Sequence, residues 1–304
     1  MKHVILMPLF VLSVYCVQAQ ISNADTNYTT RISSIEWMAD GKAILLGIVK
    51  HHKTDEQAPF FSKVFLYDIQ SGQLKFLFDD GSNLAASPDG KKIIFLKRSD
   101  KKRQDIRFYD IGSGKETVLK TDTMRKYGLD WSPDGKYLVY NILGGPDKPV
   151  DIFVMELSTK KITQVTNSGS DKSFDPIWSP DSKHIVYYLE KGDRHDQIWL
   201  TDRTGDFHTN LTNDTTTHNF FPSWFDQNTI IYTQSPSQLI MMSANGSNRK
   251  IIEGINATPV KCNSNAGKFV YVKSEEENKL VIYDWKNKTA SEVLDGTKLM
   301  SLFN

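Results

Sequence analysis

The chain is poor in cysteine, with only Cys16 and Cys262 among its 304 residues. Cys16 lies in a stretch that we expect to be removed, so the mature chain would keep one thiol. That excludes an internal disulfide and a disulfide-stabilised scaffold. Neither sign of charge is in excess, because 37 Lys and Arg stand against 36 Asp and Glu. This balance gives no reason to expect a nucleic acid or an anionic membrane as a partner.

Long apolar runs are also lacking, except for one at the N terminus. Lys2 and His3 precede an apolar run from Val4 to Val17, and Val17 and Ala19 provide the small residues of a cleavage site. This pattern is typical of a secretory signal peptide, and the run is too short for a membrane span. We therefore predict a signal peptide over residues 1–19, cut after Ala19, and a periplasmic or secreted protein without a membrane span.

Several catalytic motifs are missing from the sequence. There is no Gly-x-Ser-x-Gly nucleophile elbow and no Asp-x-Asp-x-Asp-Gly calcium loop. The segment GSGK at 112–115 lacks the rest of a phosphate-binding loop. We assign no catalytic residue, no resident metal and no cofactor from the sequence.

What the sequence does contain is a repeated phrase, WSPDGKYLVY at 131–140. Its aspartate position recurs 40 to 49 residues apart, at Asp40, Asp89, Asp134, Asp181, Asp226 and, in an eroded copy, Ala266. That period fits helical HEAT-type repeats as well as propeller blades. However, each copy continues into β-branched and aromatic runs such as KYLVYNIL and DIFVMEL, which are strands and hairpins.

We therefore predict an all-β fold, a six-bladed β-propeller of four-stranded antiparallel blades over residues 20–304. The predicted blades cover approximately residues 31–80, 81–121, 122–166, 167–212, 213–253 and 254–296. The last outer strand, near Ser291 to Leu294, is expected from the C-terminal part of the chain. Alternatively, residues 22–30 pair onto the final blade and latch the ring.

The phrase itself predicts a turn and a wedge. Ser132-Pro133-Asp134-Gly135 has the residue preferences of a β-turn, and we expect its aspartate to accept local hydrogen bonds rather than to catalyse. The tryptophan before the turn is predicted to pack between neighbouring blades. This wedge position is held by Trp37, Ala86, Trp131, Trp178, Trp224 and Asn263.

The units DPIWSPDSKHIVYY, LDWSPDGKYLVYN and FPSWFDQNTIIYT resemble the WD-like repeat of the TolB β-propeller family. The resemblance covers the propeller alone, so no function of the additional N-terminal domain of TolB is carried over. It implies a fold, and it implies that one mouth of the central channel is available for a partner protein. It does not identify a reaction, because function depends on a site rather than on a fold.

The repeat turns should crowd one face of a propeller, which points to the opposite channel mouth as the binding surface. Loops leading into the inner strands of three consecutive units supply our candidate residues, Arg125, Tyr127, Asp171, Phe174, Asp175, His218 and Asn219. The competing interpretation is a solvated rim in which the aromatic side chains are partly packed.

We interpret the protein as a non-catalytic binding or scaffold module for an envelope protein, a peptide or a glycan, and we expect a monomer. The alternative is a carbohydrate-active propeller, a polysaccharide lyase or hydrolase. Propeller lyases with similar repeats hold a divalent metal through several histidines at the starts of channel-side strands. Only His218 lies at such a position here, so the sequence shows no three-histidine cage.

Overall fold

The structure of the protein, a computed structural model, describes residues 21–22, 28–54, 61–99, 103–144, 149–192, 195–263, 265–273, 279–294 and 301–303. These residues form β-strands, turns and one 3-10 turn at Ser301–Phe303, which confirms the all-β prediction. In this part of the chain, no helix has the length and apolar character needed to cross a membrane. The predicted signal peptide, residues 1–19, lies outside the described residues.

The strands form four hydrogen-bonded sheets. The first sheet contains β1 (Ile21–Ser22), β2 (Tyr28–Trp37), β3 (Ala43–His52), β4 (Phe61–Asp68) and β5 (Leu74–Asp79). The second contains β6 (Ser82–Ala86), β7 (Lys92–Arg98), β8 (Gln104–Asp110) and β9 (Glu116–Asp122). The third contains β10 (Arg125–Trp131), β11 (Tyr137–Leu143), β12 (Val150–Glu156), β13 (Ile162–Gln164), β14 (Lys172–Trp178), β15 (His184–Glu190), β16 (Gln197–Asp202) and β17 (His208–Asn210). The fourth contains β18 (Asn219–Asp226), β19 (Thr229–Gln234), β20 (Gln238–Ser243), β21 (Lys250–Asn263), β22 (Lys268–Lys273), β23 (Lys279–Asp284) and β24 (Thr289–Leu294).

The predicted number of blades is wrong, because the hydrogen bonds define four blades and not six. The third and fourth sheets each contain two of the sequence repeats. A parallel bridge between Val150 and Lys172 joins β12 to β14. The 14-residue strand β21 pairs with β20 through its first part and with β22 through its second. The sequence period counts repeats, and it does not reveal where backbone hydrogen bonds cross from one repeat to the next.

The first strands of the six repeats, β2, β6, β10, β14, β18 and β21, are the inner strands. They are neighbours in a closed circle, since β2 contacts β6 and β21 contacts β2 in the same way as the intervening pairs contact each other. A shared apolar core seals the junction of the first and last repeats, where Ile32 and Trp37 pack with Val270 and Leu280. The inner strands therefore enclose an axial channel, as the propeller prediction requires.

The chain termini close the ring differently from the proposed N-terminal latch. Strand β24, from the C-terminal part of the chain, pairs with β23 as expected. Strand β1 pairs with β2 of its own sheet and not with the last repeat. The C-terminal 3-10 turn also reaches the first sheet, because Lys63 Nζ donates to the carbonyl of Leu302 at 2.9 Å.

The repeat turns confirm the structural role predicted for their aspartates. Asp134 Oδ1 accepts from Ser132 Oγ at 2.7 Å and from the N–H of Lys136 at 3.0 Å. Ser132 Oγ in turn accepts the N–H of Tyr137 at 2.8 Å, and Gly135 has the positive φ, 75°, that such a turn favours. The N–H of Asp134 donates to Ser182 Oγ of the next repeat at 3.0 Å, so the repeated phrase stabilises both its own turn and the junction between repeats.

The tryptophan wedge is also confirmed where the repeats meet. The indole Nε1 of Trp37 donates to the carbonyl of Lys261 at 2.9 Å, across the junction of the first and last repeats. Trp224 Nε1 donates to the carbonyl of Ile177 at 3.3 Å.

In the last repeat the wedge position predicted at Asn263 is held by Cys262 instead. Cys262 pairs with Phe269 of the second strand, as the wedge residues of the other repeats pair with their own second strands. Phe269 lies seven residues further on, which is the spacing of Trp131 and Leu138 in the third repeat, so the sequence alignment of the eroded copy was one residue out of register.

Candidate functional site

Each inner strand carries a β-bulge shortly after its start. The register shifts fall at Ile32/Ser34, Ser82/Ala85, Tyr127/Asp130, Phe174/Ile177, Phe220/Ser223 and Ala257/Val260. In four consecutive repeats the bulge contains a residue with positive φ, namely Asn83, Gly128, Asp175 and Phe221. Because a bulge bends its strand, it redirects side chains that simple alternation would place on the other face.

Two of these bulges, at Gly128 and Asp175, are fixed by hydrogen bonds to asparagine side chains of the preceding repeat. The N–H of Gly128 donates to Asn83 Oδ1 at 2.8 Å, and the N–H of Asp175 donates to Asn141 Oδ1 at 3.2 Å. A Cβ at residue 128 would lie 2.6 Å from Asn141 Oδ1 and 3.0 Å from Pro176 Cδ. Glycine at 128 therefore allows both the positive φ and the close approach of the strand that presents Asp175.

After the bulge, one residue per inner strand occupies an equivalent level of the channel. These six residues pair with the buried centre of the second strand of their own repeat, and they are Glu36, Ala85, Asp130, Ile177, Ser223 and Lys261. Three are small or apolar, as expected for an interior position. The other three, Glu36, Asp130 and Lys261, are ionisable.

The ionisable residues converge on the axis from different parts of the ring. Lys261 Nζ lies 3.3 Å from Glu36 Oε2 across the junction of the last and first repeats. The charge of Lys261 also acts on Asp130 of the third repeat and Asp175 of the fourth. Repeats on opposite sides of the ring interact only through its centre. We call Glu36, Asp130, Asp175 and Lys261 the axial cluster.

The two aspartates of the axial cluster, Asp130 and Asp175, hold their protons unusually well. Burial raises the pKa of Asp130 to about 7, against the attraction of the Lys261 charge, and raises the pKa of Asp175 to about 6. Burial opposes the charge of Lys261, but the three nearby carboxylates outweigh it and raise the pKa of that amine. Near neutral pH the cluster thus contains a charged lysine and two aspartates close to their titration midpoints.

The hydrogen bonding of the two aspartates differs. Asp130 Oδ2 accepts the N–H of Trp178 at 2.7 Å, which ties the third repeat to the fourth. The charge of Lys261 lowers the pKa of the half-buried Asp175 carboxyl, although burial outweighs it. The hydrogen bond between Asp175 and Asn141 is donated by the backbone N–H of Asp175 and does not use its carboxyl group. Asp175 is thus the member of the cluster that is best able to accept a hydrogen bond from a bound molecule.

The candidates chosen from the sequence are spread over the mouth and the core. Arg125 is exposed, at the first residue of β10, and Asp171 is half-buried just before β14. Tyr127 packs in the same apolar cluster as Phe174, and burial raises the pKa of the Tyr127 hydroxyl to about 12. Phe174 is itself buried against Tyr188, with ring centroids 5.3 Å apart.

His218 and Asn219 lie together at the start of the fifth repeat. Asn219 is fully buried, where its Nδ2 donates to the carbonyl of Thr217 at 3.2 Å and its Oδ1 accepts from Gln234 Nε2 at 3.1 Å. His218 is exposed, and its Nδ1 lies 2.9 Å from Asp196 Oδ2. Of the seven candidates, Asp175 belongs to the axial cluster, Arg125 and His218 are exposed, and Asp171 is half-buried.

Sequence reasoning missed Glu36, Asp130 and Lys261. The signal was present for Glu36 and Asp130, which directly precede the wedge tryptophans of their repeats. Lys261 joins them only in the structural register, which puts Cys262 at the wedge position. When the residues one position before the wedge are aligned in this register, three of the six repeats have a charged residue. The other three have Ala85, Ile177 and Ser223. Among the residues described, no group of three or more His, Cys, Asp or Glu side chains is arranged to hold a metal ion.

The fold and this channel define a β-propeller with an ionisable axial cluster. A family model described as eukaryotic translation initiation factor eIF2A matches residues 17–191, more than half of the 304 residues. The chain therefore belongs to that family. No curated protein sequence matches the chain.

Solved structures support the propeller fold. TolB from Acinetobacter baumannii has a TM-score of 0.61 at 16% identity, over 87% of this chain and 79% of that one. An oligogalacturonate lyase in complex with manganese has a TM-score of 0.63 at 15% identity, over 91% of this chain and 83% of that one. An acylaminoacyl peptidase has a TM-score of 0.59 at 13% identity, over 90% of this chain and 54% of that longer one. At these identities the similarity concerns the fold alone.

Proposed function

We propose that this protein is a non-catalytic, TolB-like binding module that holds a protein, a peptide or a glycan at the mouth of its axial channel. The observation that carries the proposal is the convergence of Glu36, Asp130, Asp175 and Lys261 on the axis. Burying charge lowers stability, and an all-apolar or small-residue channel would close the ring without that cost. Clusters of groups with perturbed pKa values are concentrated at functional sites.

The chemistry of the cluster suits a polar ligand. Lys261 forms an ion pair with Glu36. Asp130 and Asp175 can therefore accept hydrogen bonds from hydroxyl, amide or ammonium groups of a ligand. Arg125, exposed at the first residue of β10, supplies a donor for such a ligand. Both a peptide backbone and a sugar present the alternating donors and acceptors that such a site can pair.

The cellular setting is part of the same proposal. The N-terminal pattern of a signal peptide supports export to the periplasm or beyond. The family description names translation initiation, but the near-equal numbers of acidic and basic residues do not favour binding to the phosphate backbone of RNA. An envelope protein, a peptide or a glycan is therefore the partner class that we favour.

The test is binding of the purified mature protein to peptide and oligosaccharide arrays. We expect a saturable ligand whose binding is lost in Asp175→Asn and weakened in Arg125→Ala. Asp206→Asn, at an exposed hairpin turn, is the matched control and should bind as the unmodified protein does. Binding that is unaffected by Asp175→Asn would contradict the proposal, and release of a cleaved oligosaccharide would favour the carbohydrate-active alternative.

A further inference from the structure

Two histidines from neighbouring repeats meet on the rim. His195 precedes β16 in the fourth repeat, and His218 precedes β18 in the fifth. Their ring centroids lie 4.6 Å apart with an interplanar angle of 59°. The side chain of His218 is 46% exposed, so a dissolved ion can reach the pair.

The backbone around the pair is fixed by one buried amide. Gln197 Nε2 donates to the carbonyls of His195, Asp196 and Thr217 at 3.3, 2.8 and 3.2 Å. The N–H of Asn219 donates to the carbonyl of Asp196 at 2.8 Å. Both imidazoles are therefore attached to backbone that is held in place before any ligand binds, which lowers the entropic cost of binding.

A carboxylate sets the tautomer of His218. Asp196 Oδ2 lies 2.9 Å from His218 Nδ1, whereas the N–H of Asp196 approaches the same nitrogen at the longer distance of 3.3 Å. The shorter contact favours a proton on Nδ1, donated to the carboxylate. That arrangement leaves the Nε2 lone pair free, which is how metal-binding histidines are commonly oriented.

We propose that His195 and His218 bind a divalent transition-metal ion on the rim, with Asp196 as the residue that orients His218. Imidazole nitrogen suits zinc, nickel and copper, whereas magnesium and calcium prefer oxygen. Water would complete the coordination sphere, because the described residues offer two imidazoles here and no group of three metal-binding side chains. The site uses none of the four axial residues, and it goes beyond the proposed binding of a protein, a peptide or a glycan at the channel mouth.

The other histidines provide controls. His51 and His52 are consecutive residues of β3, so their side chains point to opposite faces of the sheet and do not chelate one ion together. His184 contacts the ring of Phe207, with centroids 6.0 Å apart. His184→Ala therefore changes the histidine content without touching the proposed site.

Equilibrium dialysis of the purified protein against nickel chloride, with the bound metal quantified, tests the proposal. We expect about one ion per chain, with the affinity lowered roughly tenfold or more in His195→Ala, in His218→Ala and in Asp196→Asn. His184→Ala should bind as the unmodified protein does, and magnesium chloride should not compete.

A second measurement needs no variant. Diethyl pyrocarbonate modifies neutral imidazoles, and the modified peptides are mapped by mass spectrometry. We expect nickel to protect His195 and His218 while His184 reacts at an unchanged rate. Unchanged affinity in either histidine variant, or equal modification of His195 and His218 with and without nickel, would overturn the proposal.

Discussion

The aspartates of the repeat turns and those of the axial cluster belong to the same repeats, but the fold treats them in opposite ways. In the turns, the hydroxyl of Ser87 and the N–H of Lys91 lower the pKa of Asp89. At the axis, burial raises the pKa of Asp130 to about 7. A carboxylate with a lowered pKa stabilises the fold once it is ionised, and one with a raised pKa destabilises it. The turn aspartates therefore maintain the structure, whereas the axial aspartates are retained at a cost in stability and are candidates for binding a ligand.

The difference also predicts opposite dependences on pH. The stabilisation from a turn aspartate is present above its unfolded-state pKa and is lost as the pH falls through its lower folded-state pKa. An axial aspartate keeps its proton in the folded state between about pH 4 and pH 7, while the unfolded state has released it. Its effect is therefore a loss of stability as the pH rises through that window.

The largest effect is expected from removing the axial cation. Lys261→Met leaves Glu36, Asp130 and Asp175 without their shared partner, and breaking such a pair should lower the free energy of unfolding by about 3 kcal/mol. Urea denaturation near neutral pH measures it. The loss should shrink in acid, where the carboxyl groups become neutral.

Lys268→Met provides the control for that substitution. Lys268 lies 3.8 Å from Asp284 in a more exposed pair, so its loss should change stability by less than about 1 kcal/mol. Equal losses in the two variants would show that the axial position is no different from the surface.

A smaller effect separates two glycines of the third repeat, Gly128 at the bulge and Gly135 in the turn. Both have positive φ, but a Cβ at 128 meets Asn141 Oδ1 at 2.6 Å, whereas at 135 it meets nothing within 4 Å. We expect Gly135→Ala to cost about 1 kcal/mol for its backbone strain and Gly128→Ala to cost about 2–3 kcal/mol. Thermal or urea unfolding measures both, and a cost at 128 no greater than at 135 would contradict the clamped bulge.

The smallest effect is expected from neutralising one axial carboxyl. Asp130→Asn keeps an oxygen for the N–H of Trp178 and removes a group that resists ionisation. Above about pH 7 the variant should be more stable than the unmodified protein by about 1–2 kcal/mol, a figure reduced for partial solvent access. Below about pH 4 the two should converge, because Asp130 is then protonated in the folded and the unfolded state.

Asp181→Asn should behave in the opposite way. Burial opposes the charge of Asp181, but bonds from Ser179 and from the backbone of Lys183 outweigh it and lower its pKa. The variant should therefore be slightly less stable at neutral pH and converge with the unmodified protein in acid. Denaturation midpoints across this pH range test the pair, and parallel curves for the two variants would remove the distinction between them.

The repeated phrase was enough to predict the turns, the tryptophan wedges and the all-β propeller, because these depend on residues close together in the sequence. The number of blades was not accessible in the same way. A single bridge at Val150 and Lys172 and the continuity of β21 decide it, and both arise from backbone contacts between repeats. Turn signals mark where strands end, but they do not show which strands share a sheet.

The site was only partly predictable for a related reason. Asp175 was identified from its loop, but Glu36, Asp130 and Lys261 are each one residue in a different repeat, and they meet only when the ring closes. Phe174 and Asn219 were chosen as mouth residues, and both are buried in the structure. The bulges that follow these positions change which side chains face the channel, and the positions of bulges could not be predicted from the sequence.

The most direct measurement is a pH titration of the aspartate carboxyl carbons by NMR. We predict that Asp130 titrates near pH 7 and Asp175 near pH 6, whereas Asp89 and Asp181 titrate below the usual aspartate range. If all four carboxyl groups titrated together near pH 4, the value of an unperturbed aspartate, the axial cluster would be an ordinary solvated surface and the distinction drawn here would fail.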